Sequence, residues 1–291
     1  NFGHIFMLYP GDRINELLDQ AADSSDGLEA RDLFESDVLQ QFWPVKDDET
    51  INGVVEEMAP KNNLIIADGH HRYETALNYR DEMRKQHPDA PANAGFNFRM
   101  VTMVSMDDPG LVILPTHRLI HSYGKKSAVE ILNGAKPYFN VTPVDGREEL
   151  EAALDEATPA HPRFGFYNGG YTVLELKDPD VMARLLPERD LAWRMLDVSV
   201  LHEVLIERVM DISAEAVERK ENIEYLRDPQ MGYDAVDDAE AEFLFVLNPT
   251  RMEQVRACTE AGEKMPQKST DFYPKVISGM VMMPIGVEER L

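Results

Sequence analysis

Short apolar runs alternate with helical spacings of apolar residues along most of the chain. Runs at residues 5–9, 64–67, 100–106 and 243–247 predict buried strands. After the second of these runs, apolar residues recur every three or four positions over residues 73–87, which predicts a helix. Because strands and helices alternate but hairpins are also present, the fold class is predicted to be α/β of the mixed α+β kind, with a mixed sheet and flanking helices.

The same patterns predict the other elements. Further helices are expected over residues 13–22, 49–58, 127–135, 147–157, 198–210 and 250–261, and further strands over residues 38–45, 111–114, 139–142 and 276–283. Asn168-Gly169-Gly170 separates two apolar runs, which is the pattern of a β-hairpin. The stretch around residues 121–126 is the best internal boundary, so the sequence predicts two domains, 1–122 and 123–291.

Charge and cysteine content narrow the function classes. The 291 residues carry a net charge of -24, which repels DNA, RNA and anionic membranes, so we expect no nucleic-acid partner. A single cysteine, Cys258, rules out an internal disulfide and fits a reducing, cytoplasmic location. No apolar run approaches the ~20 residues of a membrane helix. Because an apolar run follows Asn1 almost at once, we expect that an N-terminal part is missing.

Polar residues follow the apolar run at residues 64–67. They are Asp68, Gly69, His70, His71 and Arg72. A strand, a glycine turn and a helix start aim free backbone N–H groups at an anion, and an arginine can fork onto phosphate. The alternative is structural: Asp68 caps the helix, Gly69 relieves the turn and the histidines lie on the surface. Three donor-type residues in series after the glycine favour a phosphate site.

A second polar cluster, Thr116-His117-Arg118, follows the predicted strand at residues 111–114. Sites of α/β proteins gather at strand ends, so His117 and Arg118 are candidate binding residues. An ordinary loop with a capping threonine explains the pattern equally well. The two arginine-containing clusters can meet only if their strands are neighbours.

A third segment combines positive charge with hydroxyl groups. It holds Lys268, Ser269 and Thr270 in a loop beyond a helix that ends near Gly262, a residue suited to a helix C-terminus. The glycine spacing is not that of a Walker loop. The alternative is a solvated loop.

A fourth group, Asp197 with His202 and Glu203, falls on the predicted amphipathic helix 198–210. A His-Glu pair such as His202-Glu203 on an amphipathic helix is more often part of the polar face than a metal site. No second histidine follows at the i+4 position, so the zinc-protease pattern is absent.

Four separated segments carry a family resemblance. IADGHHRYETALNYR, GLVILPTHRLI, FLFVLNPT and AGEKMPQKSTDFYPK resemble signatures of the bacterial and archaeal family known as domain of unknown function 1015. HIFMLYP is similar to an internal segment of that family. The resemblance runs over residues 2–285, and family members usually have a longer N-terminus, so the chain resembles their central and C-terminal part.

A more distant likeness implies an activity. DGHHR after a strand is similar to the phosphate-binding Gly-x-x-Arg element of the ParB/sulfiredoxin superfamily, some of whose members phosphorylate free serine with ADP or ATP. Two departures matter. In the free serine kinases the catalytic acid lies upstream of this element, in the part that we expect to be missing from this sequence. In addition, His70 or His71 replaces the reactive cysteine of sulfiredoxin. The net charge of -24 disfavours the DNA-binding role of ParB.

Together these points predict a nucleotide- or phosphometabolite-binding protein, a small-molecule phosphotransferase using Mg²⁺ with ATP or ADP. Arg72 and the backbone after Gly69 would hold phosphate, His70 or His71 would orient it, and Asp68 would bind Mg²⁺ or act as base. The residues expected to complete the ligand site are His117, Arg118, Lys268, Ser269 and Thr270. The partner is then a small phosphorylated molecule; the oligomeric state is not defined by the sequence.

Two alternatives stay open. One is a metal-dependent hydrolase whose ligands are Asp68, His70, His71 and His117, since imidazoles with a carboxylate suit Zn²⁺, Mn²⁺ or Fe²⁺. The other is a regulatory module that binds a ligand without catalysis.

Overall fold

The computed structural model describes residues 3–22, 26–31 and 38–290. The chain forms two compact units: unit 1 is Asn1–Val112 with Pro274–Leu291, and unit 2 is Ile113–Tyr273. This division differs from the predicted boundary after residue 122. The strand His117–Ile120 pairs inside the sheet of unit 2, so the chain must change unit before it.

Unit 1 is built on a three-stranded mixed sheet. Its elements are β1 (Ile5–Tyr9), α1 (Arg13–Ala22), β2 (Leu28–Arg31), β3 (Leu39–Phe42), α2 (Asp48–Met58), β4 (Ile65–Asp68), α3 (His70–Gln86), a 3₁₀ turn (Gly95–Asn97) and β5 (Val101–Ser105). The buried β1 lies between β4, to which it is antiparallel, and β5, to which it is parallel. β2 and β3 form a separate antiparallel pair.

Unit 2 contains the larger sheet. Its elements are β6 (Val112–Leu114), β7 (His117–Ile120), α4 (Ala128–Ala135), β8 (Phe139–Val144), α5 (Arg147–Asp155), β9 (Arg163–Tyr167), β10 (Tyr171–Leu176), α6 (Val181–Leu185), α7 (Leu191–Arg194), α8 (Asp197–Val200), a π-helical segment (Leu201–Val209), α9 (Ala214–Glu218), β11 (Ile223–Leu226), α10 (Pro229–Asp237), β12 (Phe243–Val246), α11 (Met252–Glu260) and β13 (Asp271–Tyr273). The strand order is β11-β7-β12-β9-β10-β8, and the pairs are antiparallel. β6 pairs with β13.

Strand alternation divides the core of unit 2 between the two faces of this sheet. In β12, Phe243 and Phe245 join one hydrophobic cluster, whereas Leu244 and Val246 join the other. The first cluster includes the π-helical segment, and the second includes residues of α5 and α10. The mixed α+β fold class predicted from the sequence is therefore confirmed.

The predicted helix 198–210 is present, but most of it is π-helical. Its widened C-terminal end leaves carbonyl groups that neighbouring side chains satisfy: Lys126 Nζ donates to Val209 O and Tyr123 OH to Met210 O. π-Helical turns are rare and are frequently found at functional sites. No helix among the described residues is long and apolar enough to span a membrane.

The strand predicted over residues 276–283 is wrong, since these residues form no strand. Gly279 adopts a φ of 106° in the middle of the run, and Met282 is exposed. The apolar side chains there are therefore not held in a sheet, and the last strand is β13 instead.

Candidate functional site

The turn after β4 has the predicted strand–glycine–helix geometry. β4 ends at Asp68, Gly69 has φ 94° and ψ 25°, and α3 begins at His70. A residue with a side chain is strained at this positive φ, and a Cβ on Gly69 would also lie 3.0 Å from Arg72 Nε. The glycine is therefore required both by the turn and by the arginine folded over it.

The first amide groups of α3 are available to an anion. Gly69 N donates to Asp68 Oδ1 at 2.8 Å, and the first bond of the helix runs from Tyr73 N to Gly69 O. No side chain caps this end, and within the described ranges the amides of residues 70–72 have no protein acceptor. Three free N–H groups at the start of a 17-residue helix favour a negatively charged ligand.

Arg72 is held in place by protein groups, which the sequence did not predict. Its Nη1 donates to the carbonyl of His4, and its Nη2 pairs with Asp68 Oδ2 at 3.1 Å. The side chain remains 39% exposed, so part of the guanidinium still faces solvent. Arg72 therefore both ties the start of α3 to the segment before β1 and presents charge at the turn.

Arg99, which the sequence analysis missed, lies beside Arg72. It donates to the carbonyl of Gly3, the neighbour of the carbonyl that Arg72 uses, and its Nε is buried without a partner among the described residues. Burial first, and then the charge of Arg72, lower the pKa of Arg99. Two adjacent guanidinium groups repel each other and form a local positive site in an otherwise acidic chain. A bound anion would reduce this repulsion.

A cavity of about 440 Å³ opens beside these groups within unit 1. Its polar lining comes from His71, Arg72, Thr75 and Arg99, and its apolar lining from Ala76, Tyr79, Phe96, Phe98 and Ile285. Phe98 is 43% exposed although it is a large apolar side chain. The cavity therefore joins a positive polar side to aromatic rings, and its size is that of a small-molecule site.

The two predicted histidines differ in position. His71 lines the cavity but its side chain is fully exposed, with Nδ1 3.6 Å from a carboxylate oxygen of Glu74. His70 is exposed and is not among the lining residues. No group of three or more metal-ligating side chains occurs in the part of the chain that is described.

His117 and Arg118 do not lie in a loop but in β7, in the interior of the sheet of unit 2. They are 3% and 1% exposed and, as consecutive strand residues, point to opposite faces. His117 Nδ1 accepts from Leu247 N at 3.2 Å, and burial and then the charge of Arg118 lower its pKa to about 4. Both side chains are therefore buried inside unit 2, one on each face of its sheet.

Arg118 connects three segments that the sequence analysis singled out. Its Nη1 donates to the carbonyl of Thr116, its Nη2 to the carbonyl of Lys268 at 2.9 Å, and its Nε to His202 Nε2 at 3.3 Å. The guanidinium also stacks over Tyr225, 5.3 Å from the ring centre. Arg118 thus holds the π-helical segment and the loop before β13 together, and its hydrogen bonds are directed to protein groups.

The loop before β13 is only partly open to solvent. Lys268 is exposed, with a positive φ of 57°, whereas Ser269 is buried and its backbone carbonyl accepts from Thr250 Oγ1 at 2.7 Å. Thr270 is half-buried. Lys268, Ser269 and Thr270 belong to unit 2 and the Asp68–Arg72 turn to unit 1, so their convergence on one ligand stays a prediction.

Residues 1–199 match the family described as "Protein of unknown function (DUF1015)", and the chain belongs to that family. The match contains the DGHHR turn and the β7 motif, and it ends before the two C-terminal segments named above. Comparison with curated proteins found no match.

The solved structures that are similar to this chain have low sequence identity and low TM-scores. A conserved hypothetical protein from Pyrococcus furiosus has 12% identity and a TM-score of 0.40, with 96% of each chain covered. A free serine kinase in complex with AMP has 12% identity and a TM-score of 0.38, with 94% of this chain and 86% of that chain covered. The same values apply to a free serine kinase variant in complex with ADP.

Proposed function

We propose that unit 1 binds a nucleotide, with its phosphates at the Gly69–Arg72 turn and its base in the aromatic part of the cavity. The observation that carries this proposal is the pairing of Arg72 and Arg99 on one cavity of about 440 Å³ with Tyr79 and Phe98. A bare anion would need no aromatic wall, and an apolar ligand would need no guanidinium pair. A ligand with both a phosphate and a planar base uses both.

The phosphate end would combine two kinds of donor. The free amides at the start of α3 supply oriented N–H groups, and Arg99 supplies a buried Nε that has no protein partner within the described ranges. Charge-assisted hydrogen bonds of this type are about twice as strong as neutral ones. Arg99 is thus the residue on which phosphate affinity is expected to depend most.

The base end would rest on aromatic rings. Phe98 directly precedes Arg99, so the ring and the guanidinium reach the cavity from the same short segment before β5. Tyr79 reaches it from the third turn of α3. Stacking on such rings tolerates different bases, since every base has a π-face, so we expect modest discrimination between adenine and guanine nucleotides.

We further propose that the bound nucleotide is a phosphoryl donor for a small hydroxyl compound such as free serine, as the family resemblance implies. Mg²⁺ is usually held by one or two carboxylates together with substrate phosphates, and Asp68 is the exposed carboxylate at the turn. Asp68 would release Arg72 Nη2 when it takes this role. His71, which lines the cavity, is better placed than His70 to orient the phosphates.

Calorimetric titration with ADP, ATP and pyrophosphate tests the binding proposal. Arg99→Gln should weaken ADP binding by roughly tenfold to a hundredfold, the loss of a charged hydrogen bond of ~1.5–3 kcal/mol. Phe98→Ala should weaken ADP but leave pyrophosphate unchanged, because pyrophosphate has no base. Arg80→Gln is the matched control: it removes a guanidinium from the same helix, but one that pairs with Asp81 and does not line the cavity.

Phosphorus NMR with ADP or ATP, Mg²⁺ and serine tests the transfer step separately. Consumption of the nucleotide with appearance of a phosphate ester, lost in Asp68→Asn, supports a phosphotransferase. Nucleotide binding without turnover supports the non-catalytic ligand-binding module. Equal ADP affinity in the wild type and Arg99→Gln refutes the site.

A further inference from the structure

A second cavity, of about 340 Å³, lies within unit 2 against the π-helical segment. It is lined from α7, α8, the π-helical segment, α9 and the loop before β13. We propose that this cavity binds a small organic cation: a primary amine carried on an apolar body with one hydrogen-bonding group. The site is separate from the proposed nucleotide site and does not depend on it.

A buried hydroxyl without a partner points to a ligand there. Ser199 is 1% exposed, its Oγ has no hydrogen-bond partner within the described ranges, and it lines the cavity. Buried polar groups in native proteins almost always have a partner. A hydroxyl group can donate or accept, so it suits the polar group of a ligand.

His202 also lines this cavity and carries a hydrogen-bond donor. Its Nε2 accepts from Arg118 Nε at 3.3 Å, and because a guanidinium only donates, the hydrogen of the neutral ring must be on Nδ1. Arg118 is itself fixed by the carbonyls of Thr116 and Lys268. The ring is therefore held in one tautomer and one orientation, as a ligand-binding donor requires.

The charge of the lining calls for a cation. Glu203, Glu207 and Glu218 line the cavity, and the described lining includes no lysine or arginine. Burial and then repulsion by Glu207 raise the pKa of Glu203. Arg189 and Arg208 act on Glu203 from outside the lining, and Arg189 already pairs with Glu263 at 2.9 Å. An ammonium group between Glu203 and Glu207 would supply the positive charge that the cavity lining lacks.

The apolar walls of the cavity favour an organic cation over a bare metal ion. Trp193, Ile206, Ile212 and Val217 give the cavity an apolar side. A metal ion would leave these side chains without a partner, and the described residues contain no cluster of three metal-ligating groups. An amine with an aromatic or branched aliphatic body fills both the charged and the apolar side.

Titration calorimetry with tyramine, isoamylamine and para-ethylphenol tests the proposal on the full chain. Tyramine should bind saturably below about 10 mM and more tightly than isoamylamine, because of these two amines tyramine alone has a hydroxyl for Ser199 and His202. Para-ethylphenol has the same ring and hydroxyl without the amine and should bind at least tenfold more weakly. Glu203→Gln should weaken tyramine at least tenfold, whereas Glu224→Gln, an exposed carboxylate on β11 outside the cavity, should not change it.

Two results would overturn the proposal. One is the absence of saturable binding of both amines to the wild type in that concentration range. The other is equal affinity of tyramine and para-ethylphenol, which would show that charge plays no part. Both comparisons use the wild type, so they hold even if Glu203→Gln fails to fold. Ser199→Ala should reduce tyramine binding severalfold while isoamylamine is unaffected, a pattern that a general loss of packing would not give.

Discussion

Acidification should destabilise unit 2, because two of its histidines are buried in the neutral form. The pKa of His117 is lowered to about 4 and that of His202 to about 3, in both cases by burial first and by Arg118 second. A base whose folded pKa lies below its unfolded pKa of 6.5 stabilises the fold above pH 6.5 and loses that contribution as the pH falls. The loss therefore begins near pH 6.5 and continues toward the folded pKa values.

The magnitude follows from the proton linkage. Each histidine loses ~1.4 kcal/mol per pH unit, so two histidines lose about 5 kcal/mol between pH 6.5 and pH ~4.5. Asp197 acts in the opposite direction: burial raises its pKa to about 6, so the fold gains stability as this carboxyl is protonated below that pH. This gain is about 2 kcal/mol over the same interval, which leaves a net loss of roughly 3 kcal/mol from these three groups.

Urea unfolding followed by the fluorescence of Trp193 measures this loss in unit 2 alone. Trp43 and Trp193 are the two tryptophans, so Trp43→Phe leaves one reporter, and Trp193 is buried in unit 2. His202→Gln keeps an acceptor for Arg118 but does not titrate, and it should reduce the loss to below about 1 kcal/mol. The exposed His161→Gln is the control and should leave the loss near 3 kcal/mol. A pH dependence that is the same in His202→Gln and in the control would show that the buried neutral His202 is not a source of the loss.

Two further predictions concern the turn in unit 1. Arg72→Ala should lower the free energy of unfolding of unit 1 by about 1–3 kcal/mol, because the His4 carbonyl loses its donor and the exposed pair with Asp68 adds at most ~1 kcal/mol. Urea unfolding followed by the fluorescence of Trp43 in a Trp193→Phe background measures this change. An unchanged midpoint would contradict the contacts assigned to Arg72. Gly69→Ala should lower the free energy of unfolding by about 1–2 kcal/mol in the same assay, because residue 69 has a positive φ. It should also weaken ADP binding, because the new Cβ displaces the Arg72 guanidinium. A variant with unchanged stability and unchanged ADP affinity would show that the turn differs from the one described.

Local pattern was sufficient to predict the turn after β4 and the hairpin at residues 168–170. An apolar run, a glycine and a helical spacing are all encoded within about 20 consecutive residues, so no distant contact is needed to define them. The hydrogen bond that holds Arg72 in place could not be predicted in this way, because its partner carbonyl comes from His4, 68 positions away. Arg99 was missed for the same reason: its role depends on the pairing of β1 with β5.

The motif at His117 and Arg118 shows the opposite failure. Their polarity favoured a loop at a strand end, but the antiparallel neighbours β11 and β12 satisfy the backbone of β7, and hydrogen bonds to carbonyls and to His202 accommodate the buried charge of Arg118. Tertiary context thus overrode the local polarity. A buried arginine supported by carbonyls cannot be distinguished from a ligand-binding arginine by sequence spacing.

The nucleotide site is tested most directly by a crystal structure of the protein with ADP bound. We expect phosphate oxygens within hydrogen-bond distance, ~2.7–3.2 Å, of Arg99 and of the amides at the start of α3. We also expect the base to lie against Phe98. A nucleotide bound elsewhere on the chain, or bound at the turn without a contact between Arg99 and the phosphates, would contradict the proposed site.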